Sequence, residues 1–410
     1  MKRTTMFAVL SGLVLIGWLG LKWRSDATMT QVRMQLAEDA LKAQRYPEAR
    51  LYAETAVTWL TSQDQCERAW HVAGRAYLED RELTRIRRMP DAMKFLTRIP
   101  RESAWYPPTA LALANDKLFE GKQLRDALEL IDNSLLDWPD DPGLHAWKIV
   151  WLTVTRRAAL AEPHFLAAAQ NRSGDSSEVV RVWLLSQFAP EQLELEFDRR
   201  LGTAGNAETT TDAIRLERWT TLMRWNLGDP VQFAAIAEWY LERGFLQDAL
   251  GQLAMGRSAA ELYPEPYYLS VSIRAFCDAQ QWEAAESLLP VLEELAPGFL
   301  SHKAVAQVAL AREQNARAIQ ALEAARTHLP GRIDPWVSTA LEQLYGKAAG
   351  EENARKSAEL RREREQIAAQ RPRLLQILTN GRASSDNAWL LEFLGQLNRE
   401  LEIDMLKISR

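Results

Sequence analysis

Two short stretches, "EELAPGF" at Glu293–Phe299 and "RTHLPGR" at Arg326–Arg332, carry the same Pro-Gly pair, and their prolines stand 33 residues apart. Another 33 residues back from Pro297 lies Pro264, in "ELYPEPYY". Proline has no N–H to donate and its ring clashes with the preceding turn, so it ends or kinks a helix. Helix stops at a fixed interval predict a helical unit of constant length that recurs.

A second marker keeps the same beat. Ala285 lies twelve residues before Pro297, Ala318 twelve before Pro330, and far upstream Ala127 twelve before Pro139. Trp282 and Leu124 each sit three residues before one of these alanines, and Ala325 seven after Ala318. From residue 28 onward, apolar residues recur at i, i+3, i+4 and i+7, with almost no alternation of period two. Short polar clusters such as "TSQDQ", "WPDDPG", "RSGDSS" and "LGDP" interrupt the pattern. Helices of about 12–15 residues joined by brief turns predict antiparallel hairpins, and the body reads as all-α.

These residues resemble the tetratricopeptide repeat, a two-helix unit of about 34 residues. Small residues let the two helices approach, larger ones fill the gap, and the proline closes the second helix. The unit at 30–62 has Ala37, Ala40, Tyr46, Ala49 and Ala56 within "AEDALKAQRYPEARLYAETAV". The next has Trp70, Gly74 and Tyr77 in "WHVAGRAY", followed by "RELTRIRRMPD", about six residues more turn than the family pattern wants. A third runs over 108–140, a fourth over 142–173 with Phe165 and Ala168, and a degenerate hairpin over 176–201. "GTAGNAETTTD" (Gly202–Asp212) then breaks the phase, ahead of a helix at 211–227 that pairs with nothing. The beat resumes at 230–263 with Ala237, Tyr240, Gly244 and Ala249, and two 33-residue units end at Pro297 and Pro330. A last hairpin occupies 333–370. Leu390, Leu394, Leu397 and Leu401 then form a stripe suited to capping the array. The resemblance implies a right-handed superhelical array of helix pairs. The expected divisions are an anchor at 1–28, repeats at 29–201, a linker helix at 202–229, repeats at 230–370 and capping helices at 371–410.

The N-terminus reads differently. Between Arg3 and Lys22, Thr4–Leu21 gives 18 residues without a charge. As a helix this spans about 27 Å, close to the roughly 30 Å of a bilayer core. Trp18 and Trp23 suit the interface, and Lys22 and Arg24 can extend to it. A single-pass membrane anchor through residues 4–21 is expected. The short basic N-terminus would stay in the cytoplasm and the body on the extracytoplasmic, periplasmic side of the inner membrane. A cleaved leader with Ser25-Asp26-Ala27 at its end is the competing reading.

Other chemistries find little support. The net charge is −5, and the basic residues flanking the N-terminal run leave the body more acidic still, so no nucleic-acid partner is expected. Cys66 and Cys277 are too few and too far apart for a disulfide framework or zinc site. His71, His145, His164, His302 and His328 form no metal-ligand spacing, and no nucleophile-elbow or phosphate-loop pattern occurs. Neither cofactor nor catalysis is expected. The interleaved glutamates of "ARKSAELRREREQIAAQRPR" (Ala354–Arg373) mark a solvated helix.

In the repeat family the first helices of successive units line a concave groove. By that resemblance the groove positions would be His71, Arg75, Asp116, Glu238, Arg274, Lys303 and Gln307. The family's lysine–asparagine clamp for a terminal carboxylate is not reproduced. Trp138, Trp147 and Trp151 gather around one turn and offer a second candidate contact, an aromatic patch. The function expected is a membrane-tethered scaffold whose groove binds a protein segment. A subunit of an envelope export or polysaccharide assembly apparatus is the alternative, as is a regulatory subunit of a separate enzyme.

Overall fold

A computed structural model describes residues 28–60, 62–169, 177–203, 211–226 and 228–380. Their regular structure is all helical, with no strand among them. The expected anchor at 4–21 and the leucine stripe at 390–401 lie outside them, as does most of the Gly202–Asp212 break. Among the described residues, no helix is long and apolar enough to cross a membrane. The chain divides into two compact units, one ending at Trp138 and the other beginning at Pro139, inside the block expected to run over 29–201.

The first unit holds three hairpins. Helix α1 (28–42) pairs with α2 (Tyr46–Val57), and α3 (Gln63–Glu79) with α4 (Arg85–Leu96). Helix α5 (Tyr106–Asn115) runs into a π turn (Asp116–Glu120) and pairs with α6 (Leu124–Asp137). Ala37 and Ala40 of α1, Ala49, Ala53 and Ala56 of α2, and Ala69, Ala73 and Ala76 of α3 have no exposed surface. Methyl-sized side chains at helical spacing let these three helices pack backbone to backbone. Gly74 belongs to the same surface: a Cβ there would lie 2.3 Å from Leu96 Cδ2. The stretched turn is shorter than expected, because "RIRRMPD" belongs to α4 and only residues 80–84 are loop. Pro90 is tolerated inside that helix because the carbonyl it leaves unbonded belongs to Ile86, which is 88% exposed.

The second unit continues with α7 (Pro142–Val154), α8 (Glu162–Ala169), α9 (Ser177–Phe188), α10 (Pro190–Leu201) and α11 (Thr211–Trp225). Regular pairs follow: α12 (Pro230–Leu241) with α13 (Leu246–Leu262), α14 (Pro266–Asp278) with α15 (Trp282–Leu295), and α16 (Phe299–Ala311) with α17 (Asn315–Ala325). A single turn, α18 (Leu329–Ile333), leads to α19 (Pro335–Lys347) and the long α20 (Glu351–Asn380). Helix α20 runs through the boundary expected at 370, with Pro372 inside it. Its end returns to α9: Leu374 and Leu378 are buried in one cluster with Trp183 and Leu184, and Arg371 donates to the Phe188 carbonyl at 3.0 Å.

One turn geometry explains the beat. Gln44, Lys122, Arg156, Gly244, Gln280 and Glu313 take left-handed backbone angles, φ 54° to 76°. Five residues after each comes an alanine with no exposed surface: Ala49, Ala127, Ala161, Ala249, Ala285 and Ala318. In most of these turns the next residue donates its N–H to the carbonyl five residues back, as in Phe245 to Tyr240 (3.0 Å), Gln281 to Phe276 (2.8 Å) and Gln314 to Ala309 (2.8 Å). That bond closes a helix in a Schellman turn. The π turn at Asp116–Glu120 adds one residue, so Gln123 reaches back to Lys117 instead.

Helix starts share a second device. Asp141, Asp229, Glu265 and Asp334 each precede a proline in the first turn and accept a backbone N–H from that turn. Pro139, Pro264 and Pro297 follow the ends of α6, α13 and α15, as the spacing predicts. Pro330 does not stop its helix: α17 has already ended at Ala325, and Pro330 opens α18, where a missing N–H costs nothing.

Candidate functional site

The last turn of α7 is where the second unit's charged residues converge. Helix α11, the phase-breaking helix, fixes that turn. Arg218, 1% exposed, forms a two-point pair with Asp198 of α10 (2.7 and 2.8 Å) and donates to the Val154 carbonyl at 3.0 Å. The Trp219 indole N–H donates to the same carbonyl at 3.1 Å. With Val154 held from two sides, the left-handed step at Arg156 turns the chain across the face formed by α12, α14 and α16.

The side chains of that turn meet carboxylates of the later repeats. Arg156 lies over the Trp219 ring, 5.5 Å from its centroid, and pairs with Glu238 (2.7 Å) and with Glu242. Arg157 pairs with Glu265 at 3.1 Å, and Glu265 also caps α14 through the Tyr268 N–H. Ala159 and Leu160 pack into the core shared by α16, α17 and α19. Glu162 accepts the Leu329 N–H at 2.8 Å and faces His328 Nδ1 at 3.3 Å.

Glu238 is the centre of this arrangement. It accepts the Tyr267 hydroxyl at 2.7 Å and lies 3.7 Å from Arg274. Burial alone would raise its carboxyl, but Arg156, the Tyr267 hydroxyl, Arg274 and Lys303 outweigh burial and hold it below its ordinary value. Tyr267 is pushed well above the usual phenol range, by burial first and by Glu238 second. Lys303 pairs with Asp334 at 2.6 Å and sits between the rings of Phe299 and Trp336, 5.6 Å from each. The buried Gln307 Oε1 has no hydrogen-bond partner.

The expected groove residues therefore divide. Glu238, Arg274 and the pair Lys303 and Gln307 fall on α12, α14 and α16, the first helices of three successive pairs in the second unit. Glu238 and Lys303 are not free groove charges, because each is engaged by another part of the chain. In the first unit, His71 is buried on Thr109 (2.9 Å), and burial, then Arg75, lowers its imidazole to about 3. Arg75 binds Glu79 one turn along its own helix (2.6 Å). Asp116 anchors the π turn to Arg85 (3.2 Å) and Arg88 (3.6 Å). His71 and Asp116 are interior residues rather than groove contacts.

The tryptophan patch also needs correction. Trp151 is 2% exposed, stacked on Trp147 at 6.2 Å and tilted against Phe197 at 6.2 Å. Trp138 donates its indole N–H to the Arg101 carbonyl at 2.7 Å. Residues absent from the expected site are Arg156, Arg157, Glu265 and Tyr267. The only trace of the turn was "TRRAAL", two adjacent arginines between apolar helices, and nothing local pairs them with acids 82 and 108 residues away.

No family model matches the chain. No curated protein sequence matches it either. Among solved structures, it is similar to one titled "Crystal structure of APC/C hetero-tetramer Cut9-Hcn1", at 12% identity over 91% of this chain and 74% of that one, with a TM-score of 0.36. A score that low does not establish a shared fold, so the helix pairs and their common turn are what define the architecture of this chain.

Proposed function

We propose that this chain is a non-catalytic scaffold of tetratricopeptide-like helix pairs, tethered through residues 4–21 with its body outside the cytoplasmic membrane. Its α12–α14–α16 face is the part that holds a protein segment. The observation that carries this reading is that the face already holds a stretch of polypeptide. Residues 156–162 lie across it through side-chain ion pairs, a backbone N–H to Glu162 and two small apolar contacts. The stretch is a turn followed by one 3-10 turn (Ala158–Leu160), and a surface that binds polypeptide in this way has the pairing groups that peptide recognition needs. Charge favours a polypeptide over a neutral sugar polymer, because the face is lined by Glu238, Glu242, Glu265, Arg274 and Lys303. Membrane tethering would raise the effective concentration of a weakly held partner.

Two experiments test the reading. A reporter active only outside the cytoplasm, fused after Arg410, should be active, and its cytoplasm-only counterpart silent; the reverse result removes the proposed orientation. For the binding face, Arg274→Glu is the cleaner probe. Arg274 is 32% exposed, makes a long contact to Glu238 and lends its charge to Asp278, whereas Lys303 steadies the Asp334 cap of α19. Arg274→Glu should abolish co-purification of a stoichiometric partner from native membranes while helix content stays unchanged. Undiminished co-purification would move the binding site off this face.

A further inference from the structure

We propose that the Arg156–Leu160 turn is an internal stand-in for the partner, and that the partner segment carries two adjacent arginines followed by small apolar residues. The inference rests on the reading of the α12–α14–α16 face as a binding face, and it names the chemistry that face selects.

Three observations support it independently. Complementarity comes first. Glu238 and Glu242 on α12 receive Arg156, and Glu265 at the start of α14 receives Arg157, so consecutive arginines are read by consecutive repeats. Asp229, capping α12, feels both Arg157 and Glu265, which adds negative potential at the second position. Spacing is the second. Glu238 on α12 and Glu265 at the start of α14 belong to neighbouring pairs, and two successive side chains of one turn reach both. Solvent access is the third. Arg156 and Arg157 keep 19% and 12% of their side-chain surface in solvent, unlike Arg218 at 1%, so solvent and a competitor can reach them. Ala159 and Leu160 are only partly buried in the neighbouring core. The fully buried Ala161 and Phe165 fix α8 just beyond, so the exchangeable stretch ends at Leu160.

The arrangement works as a competition. With no partner, the chain's own arginines neutralise the acids and keep the face closed. A basic segment in trans replaces them one for one, and the turn swings into solvent with its arginines hydrated. Affinity is then set by the difference between two similar ion-pair sets, which makes binding salt-dependent and selective for paired guanidinium groups.

The test uses the full chain in detergent and a fluorescent peptide of residues 153–163, TVTRRAALAEP. The double variant Arg156→Ser/Arg157→Ser should bind this peptide at least tenfold more tightly than the unmodified chain. Adding Glu238→Gln and Glu265→Gln, or changing both peptide arginines to serine, should remove the gain. In the unmodified chain, excess peptide should raise hydrogen exchange across 155–160 while α13 and α17 stay protected. If the serine variant keeps its helix content yet binds the peptide no better, the partner chemistry is wrong. If it unfolds, or if excess peptide leaves exchange at 155–160 unchanged, the turn is permanent core and the proposal fails. Arg274-dependent partner capture alongside peptide failure would remove this inference alone and leave the scaffold reading standing.

Discussion

Replacing Gln280 and Glu313 by glycine should stabilise the protein, although neither residue makes its principal contribution through its side chain. Both hold left-handed angles, φ 57° and 58°, at the turn between the helices of a pair. An L-residue there costs roughly 1–2 kcal/mol that glycine does not. Glycine in turn loses roughly 0.5–1 kcal/mol more on folding, through its freer unfolded chain. The balance is about 0.5–1 kcal/mol in favour of each substitution, and the sites lie far enough apart to add. Gly244 already occupies the equivalent turn between α12 and α13, φ 76°. Gln281→Gly is the control, because Gln281 has φ −96° and gains nothing from glycine. Hydrogen exchange of the α14–α15 and α16–α17 amides is the right assay, since repeat arrays need not unfold in one step. Opening should become about two- to fivefold rarer for Gln280→Gly and Glu313→Gly, and more frequent for Gln281→Gly. Faster exchange in all three would mean that these turns are not left-handed, and the shared turn geometry would fall with them.

Other substitutions probe the packing. Arg218→Leu strands Asp198 in the interior without its partner and should cost about 3–5 kcal/mol, seen as loss of α10–α11 protection in exchange experiments. Gly74→Ala gains about 1 kcal/mol of helix propensity but drives a methyl into Leu96, which is 3% exposed. Overpacking of about 1–3 kcal/mol should leave a net loss in urea denaturation, and a gain would show that Leu96 can move aside. Mild acid should weaken the fold well before carboxylates titrate. Burial, then Arg75, lowers His71 to about 3; burial, then Lys148 and His145, lowers His164 to about 3. Both stay neutral when folded, while the unfolded chain takes up protons below 6.5. Stability is therefore full above that pH and falls towards pH 3, by about 1.4 kcal/mol per pH unit for each histidine. Burial lowers His145 as well, so His71→Gln should reduce that slope between pH 6 and 4 without abolishing it.

Much of the architecture could be read from local chemistry. Helix stops, buried alanines and the odd helix at 211–227 are short-range signals, and α11 spans Thr211–Trp225. Pro330 misled because proline both ends helices and begins them, and only the geometry after Ala325 distinguishes the two. The acid–proline caps stand in the sequence as "DP" and "EP" pairs, two of them inside the clusters "WPDDPG" and "LGDP" that interrupt the helical pattern. Two groove residues failed for a plainer reason. Helical phase places His71 and Asp116 on the first helix of a pair, but it cannot say that Thr109 and Arg88 cover them. The α7–α8 turn was out of reach altogether, since its partners are separated from it by most of a repeat block.

The most direct measurement is site-specific photo-crosslinking in intact cells, with the photoreactive residue at Gln307 on the binding face and, in a second variant, at Met255 on the outer surface of α13. Met255 is 60% exposed, so it samples whatever passes the opposite side of the repeats. The account predicts one discrete crosslinked protein from Gln307 that disappears when Arg274→Glu is added, and none of comparable yield from Met255. A discrete product from Met255 that is indifferent to Arg274, with nothing from Gln307, would contradict it.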